Sequence, residues 1–217
     1  MSCSLCQTRK EKRFCPAIHE RICAQCCGEQ REVTIECPSS CTYLLQGRQH
    51  EKPRSVSEIG MESLFGNIEV SQQFLYTHEH LILGLSFALA KAVRTDRNLT
   101  DSDLIAALSA LAKSYETLVH SGLHYETPTS GLRQQAVAAE IRQMVQEYRE
   151  TEQKHMGYVR LRDQEVLMAL VFLVRMVYGR TSGRPKSRAY IDFLMSQFPE
   201  KEPSVIASEK SSSLILP

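Results

Sequence analysis

The sequence predicts a mainly α-helical protein, a small cysteine-rich head followed by a bundle of about five helices. Three observations predict it. All eight cysteines fall within the first 41 residues, a segment with few long apolar runs. Residues 70–198 hold nearly all the Leu, Ala, Met and Phe, spaced every three or four positions as one buried helix face requires. Nothing in that stretch alternates with a period of two over strand length. With 42% hydrophobic residues over 217 positions the chain can bury a sizeable core, and no fixed repeat suggests a solenoid. Composition divides it into a head at 1–50, a linker at 51–69 carrying Pro53, Gly60 and three serines, a bundle at 70–198, and a polar tail at 199–217 expected to be disordered.

Each helix has its own reasons. Ser71 to Arg94 places Phe74, Leu75, Leu81, Leu85, Leu89 and Ala92 along one apolar stripe. Thr100 followed by Asp103 is a start signal, since the hydroxyl caps free amides and the acid suits the helix dipole; Gly122 is the stop, giving a second helix at about 101–121. Thr129 or Ser130 caps a long, charged third helix to about His155. Asp163 caps a fourth, which ends at Gly179 and is apolar on most faces, so it is expected at the centre. A fifth starts near Pro185 to Ser187 and is closed by Pro199, because proline cannot continue the amide ladder. The richest apolar run, Val166 to Val174, is about half the roughly 18 residues a membrane span needs, so it reads as core and no membrane partner is expected.

The head carries the chemistry. Its spacing is Cys3-x2-Cys6, then Cys15, then Cys23-x2-Cys26-Cys27, then Cys37-x3-Cys41. A C-x2-C pair sets two thiolates on one turn at the separation a tetrahedral ion requires, and eight thiols make two closed sites of four. The order of the pairs suggests interleaving, with Cys3, Cys6, Cys23 and Cys26 on one ion and Cys15, Cys27, Cys37 and Cys41 on the other. His19, four residues after Cys15, is an alternative to Cys27; His50 reads as an exposed linker histidine. The start of the chain shows no basic and apolar leader, so the thiols are expected in the reducing cytoplasm, where close cysteines bind metal more often than they pair. An all-thiolate tetrahedral site selects zinc or an iron–sulfur cluster, and paired C-x2-C structural sites favour two zinc ions. A head of about 50 residues with so few large apolar groups cannot offset its chain entropy alone, whereas metal binding supplies on the order of 10 kcal/mol or more per site. With both sites filled by thiolate no position is left for substrate, and the sites read as structural, with no catalytic residue assigned.

Cys3-x2-Cys6, Arg13-Phe14-Cys15-Pro16, Cys23-x2-Cys26 and the closing C-x3-C pair resemble the cross-braced double-zinc fingers of the HIT, MYND and B-box type over residues 3–41. The Cys26-Cys27-Gly28 run, and the missing second ligand directly after Cys15, depart from that pattern. The whole chain resembles a bacterial family with such a head and a helical body ending in Gly-Arg-Pro-x-Ser-Arg-Ala, which implies no activity. Fingers of the first kind mostly bind proteins, and the resemblance implies that bias.

Two basic clusters set the alternative. Arg9, Lys10, Lys12 and Arg13 lie between ligand pairs, and Arg180, Arg184, Lys186 and Arg188 lie between the last two predicted helices; either group can grip phosphate, as a nucleic-acid-associated protein requires. Against this, Lys+Arg is 26 and Asp+Glu 25, and eight thiolates with two divalent ions bring residues 1–54 to about −1. A third reading is a helical enzyme with a pocket of His78, His120, His124 and Glu126, which requires those groups to converge. Glu152 and His155 form a single Glu-x-x-His where a di-metal bundle needs two, and read as surface residues. The expectation is a non-enzymatic, zinc-binding adaptor with a protein partner.

Overall fold

The computed structural model describes residues 1–52, 54, 56–129 and 131–199, which are mainly helical, with a cysteine-rich amino-terminal region ahead of the bundle. The head opens with a short antiparallel hairpin, β1 (Arg13–Cys15) and β2 (Glu20–Ile22), in which Phe14 faces Arg21 and Cys15 faces Glu20. Two short helices follow, α1 (Ala24–Gln30) and α2 (Thr42–His50). Ile22, Ile35 and Leu44 are the buried aliphatic side chains among them. That is too little apolar surface to hold about 50 residues on its own.

After a single turn, α3 (Val56–Ile59), the chain between head and bundle is pinned to the core. Phe65 is buried, and the Arg175 guanidinium donates to the carbonyls of Leu64, Phe65 and Ile68 at 2.7–2.9 Å.

The first bundle helix is broken in two: α4 (Gln72–Thr77) and α5 (Glu79–Thr95) meet at His78, whose φ of −112° and ψ of 27° interrupt the expected run from 71 to 94. Its ring lies 4.6 Å from that of Phe74, and its Nε2 is 3.8 Å from Glu165. The second helix is as expected: α6 (Asp101–Ser121) has a capping box of Thr100 with Asp103, and stops at Gly122 with φ 70°. The third, α7 (Leu132–Met156), starts from Gly131; of the two expected caps, Ser130 lies outside the described residues and Thr129 instead accepts from Gln135. α8 (Asp163–Arg180) is the central helix, with eight buried side chains. Asp163 is its first residue and not its cap; it is Glu165 that reaches back to the Arg162 amide at 2.8 Å. α9 (Ala189–Gln197) begins later than expected, because the Arg184–Ser187 stretch is used elsewhere. The predicted tail, apart from Pro199, lies outside the described residues.

That stretch is the joint of the molecule. Asp101, fully buried, accepts the Ser187 hydroxyl at 2.8 Å and the amides of Tyr190 and Ile191 at 3.3 and 3.1 Å, so the start of α6 caps the start of α9. Burial holds its carboxyl above the usual carboxylate range despite those donors. From the same loop Arg184 donates to the carbonyls of Gly28 and Arg31 at 3.0 and 2.7 Å. The Lys186 amide donates to Glu32 O at 2.8 Å, and its ammonium meets Thr34 O and Glu36 at 2.9 and 3.0 Å. The Glu32 carboxylate, 1% exposed, joins Arg48 at 2.8 Å and the Ser182 hydroxyl at 2.9 Å, and Arg48 continues to Asp192 of α9 at 2.6 Å. Head and bundle are therefore clamped together by polar groups that would be costly to leave unpaired.

Candidate metal centre

Cys3 and Cys6 sit on one turn, closed by the Gln7 amide donating to Cys3 O at 2.8 Å, with Gln7 at φ 54°. The Ser4 amide donates to Arg21 O at 3.2 Å, which fastens that turn to the hairpin. Cys23 leaves β2 and caps α1, its Sγ accepting from the Cys26 amide at 3.3 Å. This local geometry brings the sulfurs of Cys3, Cys6, Cys23 and Cys26 within 4.8 Å of one another, in a group that could hold a metal ion. A tetrahedral ion with metal–sulfur bonds of about 2.3 Å sets its sulfurs about 3.8 Å apart, so rotamer adjustments of about an ångström close the site. Three of the four are buried and the protein supplies all four donors, the pattern of a closed site.

Hydrogen bonds shift the thiols of this group in opposite directions. The Thr8 hydroxyl, followed by the Arg9 and Thr8 amides, pushes the Cys6 thiol down to about 5. The Cys26 amide lowers Cys23, while hydrogen bonding to Cys23 pushes Cys26 up to about 12. Arg9 leans over the group, its Nη1 4.0 Å from Cys26 Sγ, and its own pKa rises chiefly through its hydrogen bond to Cys23.

The other four cysteines meet at a different place. Cys15 ends β1, Cys27 lies on α1, Cys37 follows the turn after it and Cys41 precedes α2; all four line one cavity of about 10 Å³, the scale of one small ion or water, beside Ile22, Ile35 and Leu44. Burial raises the Cys37 thiol, and the charges of Cys41, Cys15 and Glu32 act in the same direction. Among the described residues, only the first set brings four sulfurs within 4.8 Å. His19 is exposed on the hairpin turn at φ 55°, edge-on to Phe14 at 6.5 Å, and is not among the residues lining the cavity; His50 is exposed at the end of α2.

Most of the basic residues are engaged inside the protein. Arg9 faces the sulfurs and Arg13 stacks on Tyr43 at 4.6 Å, which leaves Lys10 and Lys12 exposed. In the second cluster Arg180 lies 3.6 Å over the Phe193 ring, Arg184 and Lys186 hold the head, and Arg188 donates to the carbonyls of Arg97 and Leu99. The residues of the enzyme reading do not converge. His124 and Glu126 line a cavity of about 180 Å³ with Tyr115 and Arg142, whereas His78 packs on Phe74, and His120 is exposed and bonded to Glu116 O. Glu152 accepts the amides of Arg160 and Leu161, a structural use, and His155 is exposed.

Sequence reasoning missed Glu32, Arg48 and Asp192, whose pairing joins segments up to 144 residues apart and leaves no local signal. No helix among the described residues is long and apolar enough to cross a membrane. Compared with known protein families, curated proteins and solved structures, the chain matches none.

Proposed function

We propose that this protein is a non-enzymatic, cytoplasmic adaptor whose head is stapled by two structural zinc ions and whose helical body docks a protein partner. The observation that carries it is the closed four-sulfur group of Cys3, Cys6, Cys23 and Cys26, in which every donor is protein and none is left for a substrate. All-thiolate donors favour zinc, and Cys15, Cys27, Cys37 and Cys41 around one ion-sized cavity support a second ion. An apolar groove of about 350 Å³ between α5, α8 and α9, lined by Leu75, Ile82, Phe172, Met176, Phe193 and Phe198, supports docking. Leu83, on its edge, and Phe87 nearby are 54% and 51% exposed.

Elemental analysis of purified protein is expected to return two zinc per chain. Chelation should unfold the first 50 residues while most of the helical circular dichroism remains, because the bundle has its own core. In cells, cross-linking should capture a partner that the Leu83→Glu, Phe87→Glu variant loses at unchanged metal content. No stoichiometric metal, or sulfurs bonded to each other, would overturn the reading.

A further inference from the structure

We propose that the cleft where head meets bundle is a binding site for a compact diphosphate, free or carried on a small metabolite. The cleft, about 420 Å³, lies between the end of α2, the chain that follows it and the α8–α9 connection. That volume lies within the range of small-ligand sites. Five of its lining side chains are cations, Arg48, Lys52, Arg54, Arg180 and Arg184, against one acid, Glu51. Glu32 and Asp192 already match Arg48 from behind, so five positive charges against three negative ones leave +2 for a ligand to balance.

The cations are fixed without being neutralised. Arg184 is held by two backbone carbonyls, and Arg180 by the face of Phe193. Arg54 packs directly over Gly183, where a Cβ would lie 2.8 Å from its Nη1; Gly183, at φ +74°, is the residue that both the turn and this approach require. Lys52 and Arg54 make no ion pair among the described residues, and the Nε of Arg48 is buried without an acceptor. The Thr181 amide closes α8 on Val177 O at 2.9 Å and the Glu51 amide closes α2 on Arg48 O at 3.3 Å. Among the described residues no aromatic ring lines the cleft, so a base would find nothing to stack on and the ligand is recognised by its phosphates.

Calorimetric titration of the full, metal-loaded chain with inorganic pyrophosphate tests this. Binding is expected with a Kd on the order of 10 µM at low salt, weakening steeply as salt is raised. The Lys52→Ala, Arg54→Ala double variant should bind at least about tenfold more weakly at unchanged circular dichroism, while Lys10→Ala, Lys12→Ala should bind as the parent does. ADP serves as a second arm: equal affinity identifies a carried diphosphate and tighter pyrophosphate the free ion, and either supports the site. No heat with millimolar pyrophosphate, or affinity indifferent to the Lys52/Arg54 variant, overturns it. So does a single-stranded oligonucleotide that outcompetes pyrophosphate and ignores that variant.

Discussion

The two halves of the head use similar thiols for different ends. Hydrogen bonds described for residues 1–27 stay within the head, and its four-sulfur group is assembled by a turn, a hairpin and one helix start. Residues 28–48, which carry Cys37 and Cys41, instead meet the bundle through Gly28, Arg31, Glu32, Thr34, Glu36, Ser39 and Arg48. The first half is a self-contained knot; the second is a fitting whose shape depends on what it is bolted to. On the proposed two-ion reading, metal at the first site is expected to act on the head alone, whereas occupancy of the Cys15, Cys27, Cys37 and Cys41 set is expected to be thermodynamically linked to docking.

The largest test exchanges ligands. Cys23→Ser and Cys37→Ser each remove one proposed ion, worth on the order of 10 kcal/mol or more. Hydrogen exchange should rise over residues 2–26 in the first, and over 28–48 together with 181–188 in the second; identical patterns would erase the distinction. Next comes Glu32→Ala, which removes a buried carboxylate from the half-buried Arg48 guanidinium and should cost about 3 kcal/mol in urea unfolding of the docked state. It should also lower affinity for the second metal equivalent while sparing the first, measured by competition with a chromogenic chelator.

Alkaline pH attacks the bundle side of the same joint. Burial pushes Tyr190, on α9, up to about 12. A group whose folded pKa is raised contributes stability that is intact below its unfolded value near 10 and is lost as pH climbs through 12, here roughly 3 kcal/mol. Tyrosinate absorbance should show that late ionisation coinciding with release of the head, and Tyr190→Phe should shift the release to higher pH. The smallest effect belongs to Glu36, lowered chiefly by its hydrogen bond to Lys186. Its contribution holds above the unfolded value of 4.5 and fades as pH falls through the lowered one, and Glu36→Gln should alter docking only marginally, as a carboxyl NMR titration against hydrogen exchange can follow.

Local signals in the sequence were legible, and long-range ones were not. Thr100, Asp103 and Gly122 fixed α6 to its ends because a capping box and a left-handed stop act within one helix turn. The C-x2-C pairs named the first sulfur group for the same reason, each pair spanning one turn. The break at His78 left no such mark, since the apolar stripe runs through it, and the hairpin strands of three residues are too short for alternation to show. The Arg180–Arg188 run read as a cluster able to grip phosphate because charge is visible in sequence and its acceptors, the carbonyls of Gly28, Arg31 and Thr34, are not. Asp101 stood in the sequence only as the start of the helix expected at about 101–121; that it caps α9 depends on packing between distant helices.

The Ser182–Glu32 contact spans 150 residues, so the seat of the head is made long after the head itself. At a synthesis rate of about 5–20 residues per second, the ribosome takes roughly 8–30 s to deliver it. During that interval the nascent amino-terminal segment carries Glu32, Arg48 and its sulfurs in water, and the order of events in the cell is set by elongation speed as much as by affinity.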